Sequence, residues 1–137
     1  MLADAVARLG AASGGPVFPP SPGALIALVA AAESPTGDDI ALAVREGVAE
    51  LARRRPGKSV ELRVPPHGAV QLGGGAEAGP GAGPSHSRGT PPAVVECDPA
   101  TFVALAAGRL GYAEAVASHR LRASGAHSDL SALFPLV

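Results

Sequence analysis

The chain has 137 residues, 47% of them hydrophobic, and a formal net charge of −1. This length suits one domain, the apolar content excludes general disorder, and the near-neutral charge argues against nucleic-acid binding, which needs a basic patch. A single cysteine excludes an intramolecular disulfide and favours a reducing cytoplasm. The longest apolar run, residues 24–32, is far shorter than the ~20 residues that cross a bilayer, so we expect no membrane span.

Residues 1–37 are predicted to be an N-terminal extension that is partly helical or flexible. Residues 2–9 and 24–34 have helix-compatible composition, whereas the glycines and prolines between them do not favour a helix. Pro35 ends the second helical stretch. We therefore predict that the folded domain spans residues 38–137.

A helix is predicted to begin after Thr36 or Asp38, either of which can act as its cap. Pro56-Gly57 ends it, and the preceding run of Arg53 to Arg55 complements the dipole of the last turn. The alternative is that this run binds an anionic lipid or a phosphate. The apolar stripe consists of Ile40, Val44, Val48 and Leu51, opposite a polar face with Asp39, Arg45, Glu46 and Arg53.

Residues 60–64 change to the alternating period of a half-buried strand, with Val60, Leu62 and Val64 on one face. Residues 68–72 form a second short strand, and a hairpin-like reversal joins the two. The glycine-rich insert 73–85 is predicted to be mobile. Residues 93–97 form a third strand that places Val95 and Cys97 inward.

The stretch "HSRGTPP" at 86–92 has two interpretations, a phosphate-binding loop or a rigid elbow that leads into a strand. A phosphate-binding loop leads into a helix N-terminus, whereas this stretch leads into a strand. Gly89 and the pair Pro91-Pro92 instead favour a rigid elbow. Arg88 remains a candidate cation at the mouth of a site.

The third strand leads into a helix capped by Asp98 with Pro99 at its first position. Its buried face is formed by Phe102, Leu105 and Ala106, with Gly108 as the C-cap. A second short helix (112–118), a strand (120–124) with Leu121 and Ala123 inward, and an apolar segment (128–137) complete the chain. The order predicts an α+β fold with helices on one face of a mostly antiparallel sheet.

No catalytic or metal-binding constellation is predicted. The four histidines and Cys97 are scattered singly, without metal-ligand spacing. Cys97 is interpreted as a small buried side chain, with a reactive thiol as the alternative. We expect a non-enzymatic protein that requires neither a metal nor a cofactor.

Residues 38–137 resemble a bacterial sterol-carrier-like family, common in actinobacteria, within the sterol carrier protein 2 superfamily. "RPGKSVELRVPPHGAVQ" is similar to that family's helix end and hairpin, and the run from His86 to Val137 is similar to its C-terminal half. The pattern of a capped "F-x-x-L-x-x-G-[KR]" helix matches Asp98, Phe102, Leu105, Gly108 and Arg109. An "L-x-[IVA]-x-G" strand matches residues 121–125.

The resemblance implies about five strands and an apolar cavity between the sheet and the helices, in which a fatty acyl chain, acyl-CoA or sterol-like lipid binds. An interaction module or homodimer with a filled core is the alternative. The C-terminal segment 127–137 is a candidate lid. The candidate ligand-binding residues are Val64, Val95, Phe102, Leu105, Leu121, Leu130, Leu133, Phe134 and Arg88.

Overall fold

A computed structural model of the protein describes residues 21–73, 93–125 and 128–137. Within these ranges the chain is α+β, with a 3-10 turn at Ser131–Leu133. The helices are α1 (Pro22–Ala31), α2 (Gly37–Arg54), α3 (Pro99–Ala106) and α4 (Tyr112–Ala117). The strands are β1 (Val60–Val64), β2 (Gly68–Leu72), β3 (Ala93–Cys97) and β4 (Leu121–Ser124).

The strands form one mixed sheet in the order β2-β1-β3-β4. The pairs β1–β2 and β3–β4 are antiparallel, whereas the central pair β1–β3 is parallel. The expectation of about five strands is therefore corrected to four within the described ranges, and the sheet has an unpredicted parallel pair at its centre. Parallel strands require a crossover connection, and such a pairing leaves no local pattern in a sequence.

Side chains alternate between the two faces of the sheet. Val60, Leu62 and Val64 of β1 are buried under the helices, while Glu61 and Arg63 between them reach the open face. β3 follows the same alternation. α2 packs on β2, and α1 and α3 pack on α2, so the helical layer covers one face of the sheet.

A capping box fixes the start of α2. The Thr36 hydroxyl accepts a hydrogen bond from the Asp39 backbone N–H at 3.1 Å, and the Asp39 carboxylate accepts one from the Thr36 N–H at 2.8 Å. Thr36, rather than Asp38, is therefore the cap. The predicted position of Asp39 on the exposed polar face is wrong: its side chain turns back onto the helix start, and the residue is only 1% exposed.

The arginines at the end of α2 have partners within the helix. Arg53 and Arg54 both form ion pairs with the Glu50 carboxylate, the latter at 2.7 Å. The hydrogen bond from Arg54 lowers the pKa of Glu50, with further support from the charge of Arg53. Arg54 also donates to the Leu136 carbonyl at 3.3 Å. These contacts favour a role in stabilising the helix end, and the binding of an anionic lipid or phosphate stays a prediction.

Helix α1 lies in the stretch predicted to be an extension, and it packs on both α2 and α3. Its sequence carries no charge, so its exposed face consists of alanines and lacks the polar side chains that are typical of a solvated helix face. The division of the chain at residue 38 stays a prediction. The core side chains that α1 contributes, each at most 2% exposed, are Leu25, Ile26 and Val29.

The C-terminal segment is packed into the core. Leu130, Leu133 and Leu136 are buried, and the Tyr112 hydroxyl accepts a hydrogen bond from the Leu130 N–H at 3.3 Å while donating to the Ser128 carbonyl at 3.2 Å. Burial is the main cause that raises the pKa of Tyr112, which keeps the hydroxyl protonated for this contact. The segment proposed as a lid thus contributes core side chains.

One of the two β4 side chains that were predicted to point inward does not do so. Leu121 is buried as predicted, but Ala123 is exposed. β4 lies at the edge of the sheet and pairs only with β3 among the described strands, so a methyl group there stays accessible to solvent. The predicted mobile insert (73–85) lies outside the described residues except for Gly73. The predicted elbow (86–92), with Arg88, also lies outside them.

Candidate functional site

The residues predicted to line a cavity converge in one hydrophobic cluster between the sheet and the helices. Seven of them are at most 7% exposed, and Phe134 is half-buried against the same cluster. Arg88 lies outside the described residues. That these nine residues bind a ligand stays a prediction. The seven are Val64, Val95, Phe102, Leu105, Leu121, Leu130 and Leu133.

The space around Phe102 is filled. Its ring contacts Phe134 edge-on, with the ring centroids 6.1 Å apart, and Phe134 stacks on Tyr112 at the same separation. On the other side, a Cβ added to Gly47 of α2 would lie 2.6 Å from the Phe102 ring. The glycine therefore allows α2 to approach the ring closely, and the packing between α2 and α3 at this point is tight.

A groove lies on the outer side of α3, where this helix meets α1 and the start of α2. Its volume is about 180 Å³. None of the residues predicted to bind a ligand lines it. The lining residues are Val29, Ala30, Ala32, Pro35, Ile40, Ala100, Val103, Ala104 and Arg109.

Short side chains produce this groove. Ala100 and Ala104 are one helical turn apart, so they share a face of α3, and neither extends beyond a methyl group. Ala30 and Ala32 face them from the end of α1. The three helices contact one another elsewhere through larger side chains, and the alanines leave the seam between them unfilled.

Arg109 supplies the one charged side chain of the groove lining, and the end of α3 fixes its position. The Arg109 N–H donates to the Ala104 carbonyl at 2.8 Å, and the Gly108 N–H donates to the Leu105 carbonyl at 3.1 Å. With Gly108 at φ +77°, this is a Schellman motif. Gly108 thus ends the helix as predicted, and its left-handed conformation directs the chain so that Arg109 reaches the groove.

A second pocket, of about 360 Å³, lies at the β1–β2 turn on the open face of the sheet. Two charged residues line it, and both are paired: Glu96 contacts Arg122 at 2.6 Å, and Arg63 contacts Glu61. The other lining residues are Pro65, Pro66, His67, Gly68 and Ala69. Such a lining is less suited to an apolar ligand than the groove at α3 is.

Cys97 is a buried free thiol, 5% exposed. Burial raises its pKa to about 12, with smaller contributions from the charges of Asp98 and Glu96. A thiol with that pKa carries almost no thiolate at neutral pH, so the interpretation of Cys97 as a small buried side chain is confirmed. Across the described ranges, no group of three or more His, Cys, Asp or Glu side chains is placed to hold a metal ion.

Sequence reasoning missed the groove, although one signal for it was present. Ala100 and Ala104 recur at the helical spacing of four on the side of α3 away from Phe102 and Leu105, which indicates a shallow strip. The other wall comes from α1, which was assigned to an extension rather than to the helical layer.

Comparison with known proteins assigns the chain to a family. None of the described helices combines the length and hydrophobicity needed to cross a membrane. No curated protein matches the chain in a sequence search. A family profile described as "Bacterial SCP ortholog" matches residues 37–136, which include α2, the whole sheet and α3. The chain therefore belongs to this bacterial sterol-carrier-like family.

Proposed function

We propose that this chain is a non-enzymatic, cytoplasmic protein that binds a fatty acyl chain, and that the groove between α1, α2 and α3 holds it. The observation that carries the proposal is the groove itself, since eight of its nine lining residues are apolar and its volume is about 180 Å³. Membership of the sterol-carrier-like family supports the ligand class.

The volume of the groove favours an acyl chain over a sterol as its ligand. Pockets for drug-sized ligands usually hold about 300–1,000 Å³, well above the groove's 180 Å³. A water molecule occupies ~30 Å³ of liquid, and a methylene group has a similar size, so the groove shelters about six methylenes. A rigid four-ring sterol would leave most of its surface in water.

Binding would come from the removal of methylenes from water, at up to about 0.8 kcal/mol each. Six methylenes supply about 5 kcal/mol, and association itself consumes a large part of this. We therefore expect weak binding, with a Kd of about tens of millimolar for the isolated chain.

An NMR titration with a chain-length series tests the proposal. Butanoate, hexanoate, octanoate and decanoate are added to the labelled full chain, and backbone amide shifts are followed. We expect shifts centred on Ala30 and Ala104, an affinity gain of up to about fourfold per methylene, and a plateau once the groove is filled at about eight carbons.

Ala104→Leu is the matched variant, because the larger side chain fills the groove without entering the sheet–helix layer. It should abolish the chain-length dependence. The control is Ala113→Leu, an exposed position on α4 outside the groove, which should leave the titration unchanged. Equal affinity for all four chain lengths, or an unaltered titration in Ala104→Leu, would contradict the proposal.

The same samples address the alternative of an interaction module. Sedimentation velocity that reveals a concentration-dependent dimer, together with no response to any of the four acids, would support a protein-binding surface in place of a lipid site.

A further inference from the structure

We propose that the groove selects the free carboxylate form of the acyl chain, a fatty acid of medium length, and that Arg109 is the residue that recognises the head group. This inference rests on the proposed function and names its ligand more narrowly. It follows from the position of one cation beside an otherwise apolar lining.

Arg109 is available for such a contact. It forms no ion pair or side-chain hydrogen bond with another residue in the described ranges, and it is exposed to solvent. The arginines at 53, 54, 63 and 122 all contact a carboxylate of the chain itself, whereas those at 45, 55 and 120 lack such a contact among the described residues, as Arg109 does. Among these unpaired arginines Arg109 is the one that lines the groove, so its donors are accessible to a ligand there.

Backbone hydrogen bonding fixes the position of the Arg109 Cα atom, from which the side chain extends. The N–H of Arg109 is held by the Ala104 carbonyl, and Ala104 is itself a wall of the groove. The charged side chain therefore starts one helical turn from the apolar wall. A planar guanidinium binds a carboxylate with two parallel hydrogen bonds, which an alcohol or an ester cannot reproduce.

The class of ligand follows from the combination of apolar groove walls with the positive charge of Arg109. The lining has eight apolar residues and one cation, so it complements a molecule with an apolar tail and a single anionic end. A fatty acid has this form. An acyl thioester lacks the charge next to its chain, and a sterol carries only a hydroxyl group.

A simpler role for Arg109 would be to stabilise the helix end. A cation just past the last turn of α3 interacts favourably with the helix dipole, whether or not a ligand is present. The two roles differ in what they predict for a neutral ligand. Loss of a helix-end charge would affect all ligands alike, whereas loss of head-group recognition affects only the acid.

The experiment compares octanoate with 1-octanol, which has the same chain length and no charge. Both are titrated into the wild-type chain, Arg109→Gln and the control Arg122→Gln by NMR at low ionic strength. Arg122 contacts Glu96 on the open face of the sheet, away from the helices, so its loss leaves the groove intact.

We expect Arg109→Gln to weaken octanoate binding by about three- to fivefold, the value of an exposed ion pair, and to leave octanol binding within twofold. Arg122→Gln should change neither affinity. In the wild-type chain, added salt should reduce the preference for octanoate, because it screens the ion pair.

The two levels of the proposal can fail separately. If octanol and octanoate both bind in the groove and Arg109→Gln changes them equally or not at all, the carboxylate selection is overturned while acyl-chain binding stands. If neither ligand shifts the groove amides, the proposed function falls as well. Thermal unfolding of each variant shows whether it remains folded.

Discussion

Helix α3 separates two apolar environments of opposite character. On its inner side Phe102 and Leu105 are at most 1% exposed and belong to the hydrophobic core, where the Phe102 ring lies close to Gly47 of α2. On its outer side Ala100, Val103 and Ala104 border a groove of about 180 Å³. Both sides are hydrophobic, so hydrophobicity alone does not decide where space remains. The decisive property is side-chain size, since large residues fill the inner seam and alanines leave the outer one open.

The largest effect should come from opening the filled side. Phe102→Ala removes a ring that is 0% exposed, and we expect it to lower the free energy of unfolding by about 3–5 kcal/mol through lost transfer energy and a new cavity. Val103→Ala, on the neighbouring residue, should lower it by only about 1 kcal/mol, because it removes just two methyl groups from a 5% exposed side chain that also lines the groove.

Urea denaturation of both variants, monitored by circular dichroism, measures the difference. If the two substitutions lowered stability equally, the groove side of α3 would be as well packed as the sheet side, and the contrast between them would not hold.

A smaller effect is expected from adding a methyl group to the filled side. Gly47→Ala would place a Cβ 2.6 Å from the Phe102 ring, which is fully buried. Overpacking costs about 1–3 kcal/mol, and the better helix propensity of alanine returns about 1 kcal/mol. We therefore expect a net loss of about 1 kcal/mol in thermal or chemical unfolding.

Ala104→Leu provides the matching addition on the open side. It should change the free energy of unfolding by less than about 0.5 kcal/mol, as is typical of substitutions outside the packed core. A stabilised Gly47→Ala protein would show that the inner seam has room to adjust.

An effect of about the same size as that of Gly47→Ala concerns pH and reports whether water reaches the inner layer. The pKa of Cys97 is raised from 9.0 to about 12 by burial. Below pH 9 the thiol is neutral in both the folded and unfolded states, so its contribution to stability is fully present. Above pH 9 the unfolded chain loses this proton first, so stability falls as the pH rises toward 12.

We expect the wild-type chain to lose on the order of 1 kcal/mol more than Cys97→Ala between pH 8 and pH 10. Parallel urea titrations at the two values measure this, and Tyr112, present in both proteins, cancels in the comparison. An identical pH dependence would mean that water reaches the thiol in the folded state.

Much of the fold was predictable because its signals are local. The capped start of α2, the alternation in β1 and β3, and the glycine after α3 each depend on neighbouring residues. The parallel pairing of β1 with β3 was not predictable, because it joins segments that are distant in the sequence. Asp39 was misplaced because a periodic pattern does not register a side chain that folds back on its own helix start.

The candidate site was less predictable than the fold. The large apolar residues, such as Phe102 and Leu133, were chosen as ligand contacts, yet large side chains fill space rather than leave it. The groove depends on four alanines from two helices, and their proximity requires knowledge of how α1 packs. Arg109 was noted as part of a helix-end pattern, but its relation to the groove is visible only in three dimensions.

The position of α1 has a consequence for how ligand preference can vary among relatives. The family match begins at residue 37, whereas Val29, Ala30, Ala32 and Pro35 of the groove lie before it. One wall of the groove thus comes from chain outside the residues that the family profile matches, and the opposite wall from within them. Under the proposed function, proteins that share the matched region would differ in the ligand they accept through the groove-lining residues that precede it, with the core side chains Leu25 and Ile26 of the same helix retained.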